Sequence, residues 1–301
     1  MADPAPEANP GDDPIVGRVA LVTGASSGIG AASARALAAA GAATVGICAR
    51  REDRLREVLD ACRAHAPDSE LFVVDLSEVD GLTAFAAEVE RTLGRVDVLV
   101  NNAGVAKRRR MPDLALDELR GVLDINLLAP VALTTALLPG MVDRGWGRIV
   151  NVSSMGTRSA ALRVGAYAAS KAALELWTEG LYLDLLGTGV RAQLLVPGTT
   201  TTEFSRPTAD NEEPFPPDPN AQSAEEVAAG LLALLRSDDF EGFASEGHAA
   251  TSNAKRSDPN GFLAGIAPLL TPTPGSGPGS KPTESKPTES KLTESTPTES
   301  N

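Results

Sequence analysis

Tyr167-Ala-Ala-Ser-Lys171 sets a phenol and an ammonium four residues apart, on one face of a helix. A cation beside a phenol lowers its pKa from a reference value of about 10, so Tyr167 would donate and accept protons near neutral pH. Such spacing alone occurs on many helices, and its meaning depends on the rest of the chain.

The second chemical feature is Thr23-Gly-Ala-Ser-Ser-Gly-Ile-Gly30. Glycines 24, 28 and 30 permit a tight turn and let a pyrophosphate approach a helix N-terminus, where free amides and the dipole favour anions. A turn of this kind also serves tight packing. Its position between a strand and a helix favours dinucleotide binding.

The elements that must carry these residues alternate along the chain. Short apolar runs at 18–23, 43–49, 71–74, 96–100, 148–152 and 190–196 read as strands. Helical patterns fill 28–40, 52–64, 78–93, 113–125, 127–142 and 166–186. Alternation of this kind marks a parallel sheet with crossover helices, and continuous apolar strands mark burial on both faces. The expected fold is therefore α/β, a Rossmann-type doubly wound parallel sheet in a single domain over 15–250.

Beyond Pro197 the pattern loosens. Residues 199–222 read as a helical or loop lid rich in Thr, Pro and acid. Ser223-Ala-Glu-Glu226 then caps a helix to about residue 235, and 240–250 could add a last strand. Residues 1–14 hold no basic start and no apolar run, so they are expected to be a disordered extension and not a signal peptide. Residues 251–301 read as a flexible tail, with a pentapeptide repeat (KPTES, KPTES, KLTES, TPTES) at 281–300 too polar to offset its ordering entropy.

Composition narrows the function classes. A net charge of −13 argues against nucleic acid, which needs a basic surface. No uninterrupted apolar run is long enough for a membrane span. Cys48 and Cys62 read as reduced thiols of a cytoplasmic protein. His65 and His248 are the only histidines, and neither joins other ligands at metal spacing, so no metal is expected. Trp146 and Trp177 read as packing residues.

The glycine turn, Asn101-Asn-Ala-Gly104 after the fourth strand, and Ser154 thirteen residues before Tyr167 resemble the short-chain dehydrogenase/reductase family, from about residue 16 to 236. The resemblance implies an enzyme in which Tyr167 moves the proton and Lys171 depresses the phenol and holds the nicotinamide ribose. It implies that Ser154, not its neighbour Ser153, hydrogen-bonds the reacting carbonyl. Asn126, in Asp124-Ile-Asn126, would hold a water linking Lys171 to solvent, or would satisfy the backbone of a helix junction.

Cofactor contacts implied by the resemblance are Gly24, Ser26, Ser27, Gly28, Ile29 and Gly30 on the turn. Asp75 and Leu76 would meet adenine, with Asn101 supporting the sheet and Asn102, Ala103 and Gly104 leaving room for the cofactor. Pro197, Gly198 and Thr202 would meet the carboxamide. Family members often end in an Asp-Gly-Gly segment that helps form tetramers. Here Phe243-Ala-Ser-Glu-Gly-His248 stands instead, so a homodimer through 127–142 and 167–186 is expected and a tetramer is not.

Cys48-Ala-Arg-Arg51 ends the second strand. An acid there would accept from a ribose 2′-hydroxyl, whereas a guanidinium binds a 2′-phosphate. NADP(H) is preferred, with Arg50 the best contact and Arg51 beside it, unless both simply face water. The run Lys107-Arg-Arg-Arg110 is either a solvated face or a recognition element for an anionic substrate.

The expected activity is interconversion of a carbonyl and a secondary alcohol on a small molecule, with NADP(H). The alternative is a non-catalytic dinucleotide-binding regulator or interaction protein on the same fold.

Overall fold

A computed structural model describes residues 13–159, 163–205 and 218–270. Seven strands form one sheet in the order β3-β2-β1-β4-β5-β6-β7, with every pairing parallel. They are β1 (Val19–Thr23), β2 (Thr44–Ala49), β3 (Glu70–Val73), β4 (Val98–Asn101), β5 (Gly147–Val152), β6 (Val190–Val196) and β7 (Glu241–Phe243). The order reverses between β1 and β4, so a crevice opens there at the carboxyl ends of the strands.

The apolar strand sequences are explained by cover on both faces. On one face α1 (Gly28–Ala39), α2 (Glu52–Arg63) and α7 (Ala224–Arg236) bury Leu37, Leu55, Leu59 and Leu231. On the other, α3 (Leu82–Leu93) and α5 (Ala129–Asp143) bury Phe85, Val89, Leu133 and Met141. Small side chains let α1 lie close to the sheet: Ala31, Ala32, Ser33, Ala34 and Ala38 are all buried. Ser223 caps α7 by accepting from the Glu226 amide at 3.1 Å, and Glu226 accepts from the Ser223 amide at 2.7 Å.

Three expectations change. The two helices expected at 113–125 and 127–142 are one run, α4 (Leu116–Leu123), a π-helical turn (Asp124–Leu128) and α5. Asn126 is the buried residue of that π turn, and its satisfied amide makes the extra residue tolerable. By length and composition this 28-residue run is apolar enough to cross a membrane. Much of its apolar side is committed to the sheet through Ala129, Leu133, Leu137 and Met141.

The strand expected over 240–250 stops at Phe243, and part of the segment expected as flexible tail is helical: α8 (Glu246–Ser257) and α9 (Pro259–Leu270). Tertiary anchors hold α8 despite its polar sequence. Ser252 is buried, and Lys255 Nζ donates to the Thr157 carbonyl at 2.9 Å. The terminal extension 1–12, the repeat 281–300 and lid residues 206–217 lie outside the described residues.

Candidate active site

The glycine turn closes β1 onto α1. Gly24 has φ +67, and a Cβ there would stand 2.8 Å from the Ala103 Cα. A Cβ on Gly30 would stand 2.5 Å from both the Gly24 carbonyl oxygen and Asn102 Nδ2. The glycines are thus required by the close approach of the β4 loop. Asn102 locks that approach, donating from Nδ2 to the Thr23 carbonyl at 2.9 Å, and the Thr23 hydroxyl accepts from the Asn102 and Ala103 amides at 3.0 Å. Asn101 supports the sheet beneath, donating to Asn151 Oδ1 at 2.8 Å and Thr134 Oγ1 at 3.2 Å.

Above this turn lies a cavity of about 580 Å³, within the usual range for small-molecule sites. Gly24, Ser26, Ser27, Gly28 and Ile29 form its floor. Asp75 and Leu76 close one side, and Asn102, Ala103 and Gly104 run along the middle. Pro197, Gly198 and Thr202 come from the loop after β6. Of the expected cofactor residues only Gly30 does not line it, because Gly30 packs the helix against the strand instead.

Ser154, Tyr167 and Lys171 line the same cavity at its other end. β5 ends at Val152, and a 3-10 turn (Met155–Thr157) starts directly after Ser154. Ser154 Oγ accepts from the Gly156 amide at 3.0 Å, and the Ser154 side chain pulls the pKa of the Tyr167 phenol down. Ser153 lines the cavity too, but its hydroxyl donates to buried Glu175 at 2.5 Å, so the two serines differ in their partners. Tyr167 and Lys171 sit on α6 (Gly165–Asp184), and Lys171 Nζ donates to the Val152 carbonyl at 2.8 Å.

Electrostatics in this cleft depart from the simple expectation. Burial lowers Lys171 to about 8, opposed by the charge of Glu175, so its ammonium persists at neutral pH. Burial also raises the Tyr167 phenol above its ordinary value; Ser154 pulls it down and Glu175 pushes it up. The expected depression by Lys171 is reversed, because desolvation of the phenolate dominates. A phenol in this state is a proton donor at neutral pH.

Asn126 does not line the cavity. It braces the wall, accepting from the Val105 amide at 2.8 Å and donating to the Val105 carbonyl and Ser170 Oγ at 2.9 Å each. Between the two expected arginines, Arg51 is the one folded over the glycine turn. It donates to Ser26 Oγ at 3.0 Å, to Ser27 Oγ at 2.7 Å and to Glu203 Oε2 at 2.7 Å. Arg50 lies 3.7 Å from Asp75, whose carboxyl is held low chiefly by the Ser77 amide. Both arginines line the cavity.

Lys107 and Arg109 are partly buried and paired with Glu118 of α4, at 2.9 and 3.3 Å. The run is therefore not simply a solvated face, and none of 107–110 lines the cavity.

Three residues escaped the sequence reading. Phe204 covers Tyr167, with ring centroids 5.5 Å apart. Glu203, beside it, holds Arg51. Neither position carries a spacing signal in an irregular loop. Glu175 did leave one: an acid one turn beyond Lys171, within the apolar stretch Ala-Leu-Glu-Leu-Trp.

The sequence pattern of the family described as short chain dehydrogenase matches residues 18–213. A short chain dehydrogenase of Pseudocercospora fijiensis is 40% identical over 195 residues, covering 64% of this chain and 63% of that protein. The chain spans 63%, 64% and 59% of the lengths of three curated relatives that it matches. A metagenomic short-chain oxidoreductase solved in complex with NADP is 33% identical with a TM-score of 0.65, over 76% of this chain and 96% of that one. A short chain dehydrogenase/reductase from Burkholderia phymatum solved in complex with NAD is 25% identical with a TM-score of 0.72, over 86% of this chain and 97% of that one.

Proposed function

The chain belongs to the short-chain dehydrogenase/reductase family, and we propose that it is an NADP(H)-dependent oxidoreductase interconverting a carbonyl and a secondary alcohol. One observation carries this reading. A single cavity joins a glycine cradle that a Cβ would fill to a hydroxyl, a phenol and an ammonium at its far end.

The residues present fit a dinucleotide. Gly24, Gly28 and the N-terminus of α1 would hold the pyrophosphate. Lys171, anchored on the Val152 carbonyl, would hold the ribose of the nicotinamide half. Nicotinamide, when bound, supplies the hydride donor or acceptor.

The chain's own groups manage the proton and the carbonyl. In reduction the Tyr167 phenol donates its proton to the carbonyl oxygen, and in oxidation it takes that proton back. Ser154, lining the same end of the cavity as the phenol, orients the same oxygen. Phe204 packs over Tyr167 and excludes water from the transfer. Asn126 keeps the cavity wall in register through Val105 and Ser170.

Cofactor choice follows from Arg51. Similar structures hold NADP and NAD, so family membership does not select between them. The Arg51 guanidinium, with Ser26 and Ser27 beside it, is a donor set suited to a 2′-phosphate, and Glu203 pairs with it at 2.7 Å. NADPH is expected to bind about tenfold or more tighter than NADH, the scale of a charge-assisted hydrogen bond. Arg51→Ala should erase that difference, and Glu203→Gln should tighten NADPH more than NADH because a competing carboxylate is gone. Fluorescence titration of the three proteins with both cofactors checks this. Equal or tighter NADH binding to the native chain contradicts it.

The remaining parts of the reading are the small-molecule substrate, the assembly and the compartment. Leu176 and Leu183 are 69% and 63% exposed on α6, and Leu128 is 42% exposed at the start of α5. Exposed leucines on these helices support a homodimer through them, without tetramer assembly. Two unbridged thiols suit a reducing compartment, and we assign the cytoplasm. A screen of NADPH consumption against ketones, aldehydes, sugars and acyl thioesters tests the activity. Tight NADPH binding with no turnover across that panel would favour the binding-protein alternative.

A further inference from the structure

Glu175 is 8% exposed, one helical turn beyond Lys171 on α6. A carboxylate at such depth is tolerated only with charged or hydrogen-bonding partners. It has three. The Ser153 hydroxyl donates to Oε1 at 2.5 Å, the Thr157 hydroxyl lies 2.6 Å from Oε1, and the Arg158 guanidinium lies 3.1 Å from Oε2. Arg158 is itself 6% exposed and pairs with Glu241 of β7 at 2.5 Å.

These partners bracket Ser154. Ser153 precedes it, and Thr157 and Arg158 close the 3-10 turn that follows it. The Thr157 hydroxyl also lies 2.9 Å from the Ser154 carbonyl, so one proton serves two acceptors. Nothing else named in the site ties this turn to α6 on both sides of Ser154. We propose that Glu175 is a positioning residue: it clamps the turn carrying Ser154 against the helix carrying Tyr167 and Lys171, and so sets the alignment of the proton-transfer groups. The proposal rests on the catalytic roles assigned above to Ser154, Tyr167 and Lys171.

The same carboxylate acts on the titrating groups through its charge. It favours the Lys171 ammonium against burial, and it disfavours the Tyr167 phenolate in addition to burial. The other charged groups around it are Glu179 on α6, Arg158 after the turn, Glu241 on β7, and Lys255 and Arg256 on α8. Removing the Glu175 charge therefore moves both Tyr167 and Lys171 to lower pKa, while Arg158 keeps Glu241 as partner.

The chain has two tyrosines, Tyr167 and Tyr182. In the full-length Tyr182→Phe background, ultraviolet difference titration reads the Tyr167 phenolate alone, without cofactor or substrate. Glu175→Gln is expected to move that titration to lower pH, and Glu175→Asp, which keeps the charge, is expected to leave it near the native position. With a substrate that turns over, Glu175→Gln should lower kcat at least about tenfold. NADPH affinity should fall several-fold less than kcat, because Glu175 itself does not line the cavity and Lys171 keeps its anchor on the Val152 carbonyl. The acid limb of the alcohol-oxidation profile should move to lower pH.

A folded Glu175→Gln protein with unchanged Tyr167 titration and kcat within about twofold of native overturns the proposal. Should that variant fail to fold, Thr157→Val replaces it, leaving the Arg158 pair in place. A several-fold loss of kcat with unchanged NADPH affinity then supports the clamp, and native kcat overturns it. If the native chain turns over no substrate, the functional reading fails, and the phenolate titration still decides the role of Glu175.

Discussion

Tyr167→Phe is expected to lower turnover by about 10³-fold while leaving NADPH affinity within about threefold. The phenylalanine keeps the ring that packs on Phe204 and removes only the phenolic oxygen. Without that oxygen no group in the described cleft stands in for the donor. Ser154 keeps the Gly156 amide on its oxygen, so its own placement is unchanged. Lys171 Nζ stays bound to the Val152 carbonyl, so the group proposed to hold the ribose keeps its place. The loss should therefore fall on kcat and not on binding, which stopped-flow turnover and equilibrium titration resolve separately. Residual activity above about a tenth of native would assign the proton to another group.

Gly30→Ala is expected to fail at the opposite step. A Cβ there would stand 2.5 Å from a backbone oxygen of the glycine turn and 2.5 Å from Asn102 Nδ2, and neither is the free end of a flexible chain. The turn must open, and the bond from Asn102 to the Thr23 carbonyl must lengthen or break. Overpacking of this sort costs about 1–3 kcal/mol. Drawn from cofactor binding, that is a loss of about 10- to 100-fold in affinity. Gly121→Ala is the matched control, since a Cβ there meets nothing within 4 Å. Titration with NADPH beside thermal melting checks both, and native affinity in Gly30→Ala would remove the close-approach argument.

How much of this was legible before folding depended on whether the signal was local. Continuous apolar runs located β1, β2, β5 and β6 to within two residues at each end, because strands buried on both faces leave no polar alternation to misread. The Ser223 cap was local chemistry and was equally readable. The π turn was not: Asp124-Ile-Asn126 looks like a break between two helices until Val105 and Ser170 are seen to satisfy Asn126. Likewise α8 has few apolar residues, and its order comes from contacts with Thr157 and the end of β6.

The site followed the same division. Residue types and spacings brought Ser154, Tyr167, Lys171 and the glycine turn to one cavity. Their electrostatics were not readable, because burial, which raises the Tyr167 phenol, depends on the fold around it. Nor were the different partners of the adjacent arginines, since Arg51 meets Ser26, Ser27 and Glu203 across the cleft while Arg50 lies by Asp75. Glu175 needed β5, the 3-10 turn and α6 together before its carboxylate had a role.

The central claim is that this cavity carries out hydride chemistry on a carbonyl and does not merely hold a dinucleotide. The most direct measurement uses NADPH deuterated at nicotinamide C4 with a ketone that the native chain consumes, and mass spectrometry of the alcohol. The account expects one deuterium on the carbinol carbon, formed by the native chain and not by Tyr167→Phe at matched cofactor occupancy. Saturating NADPH binding with no labelled alcohol from any carbonyl class would contradict it.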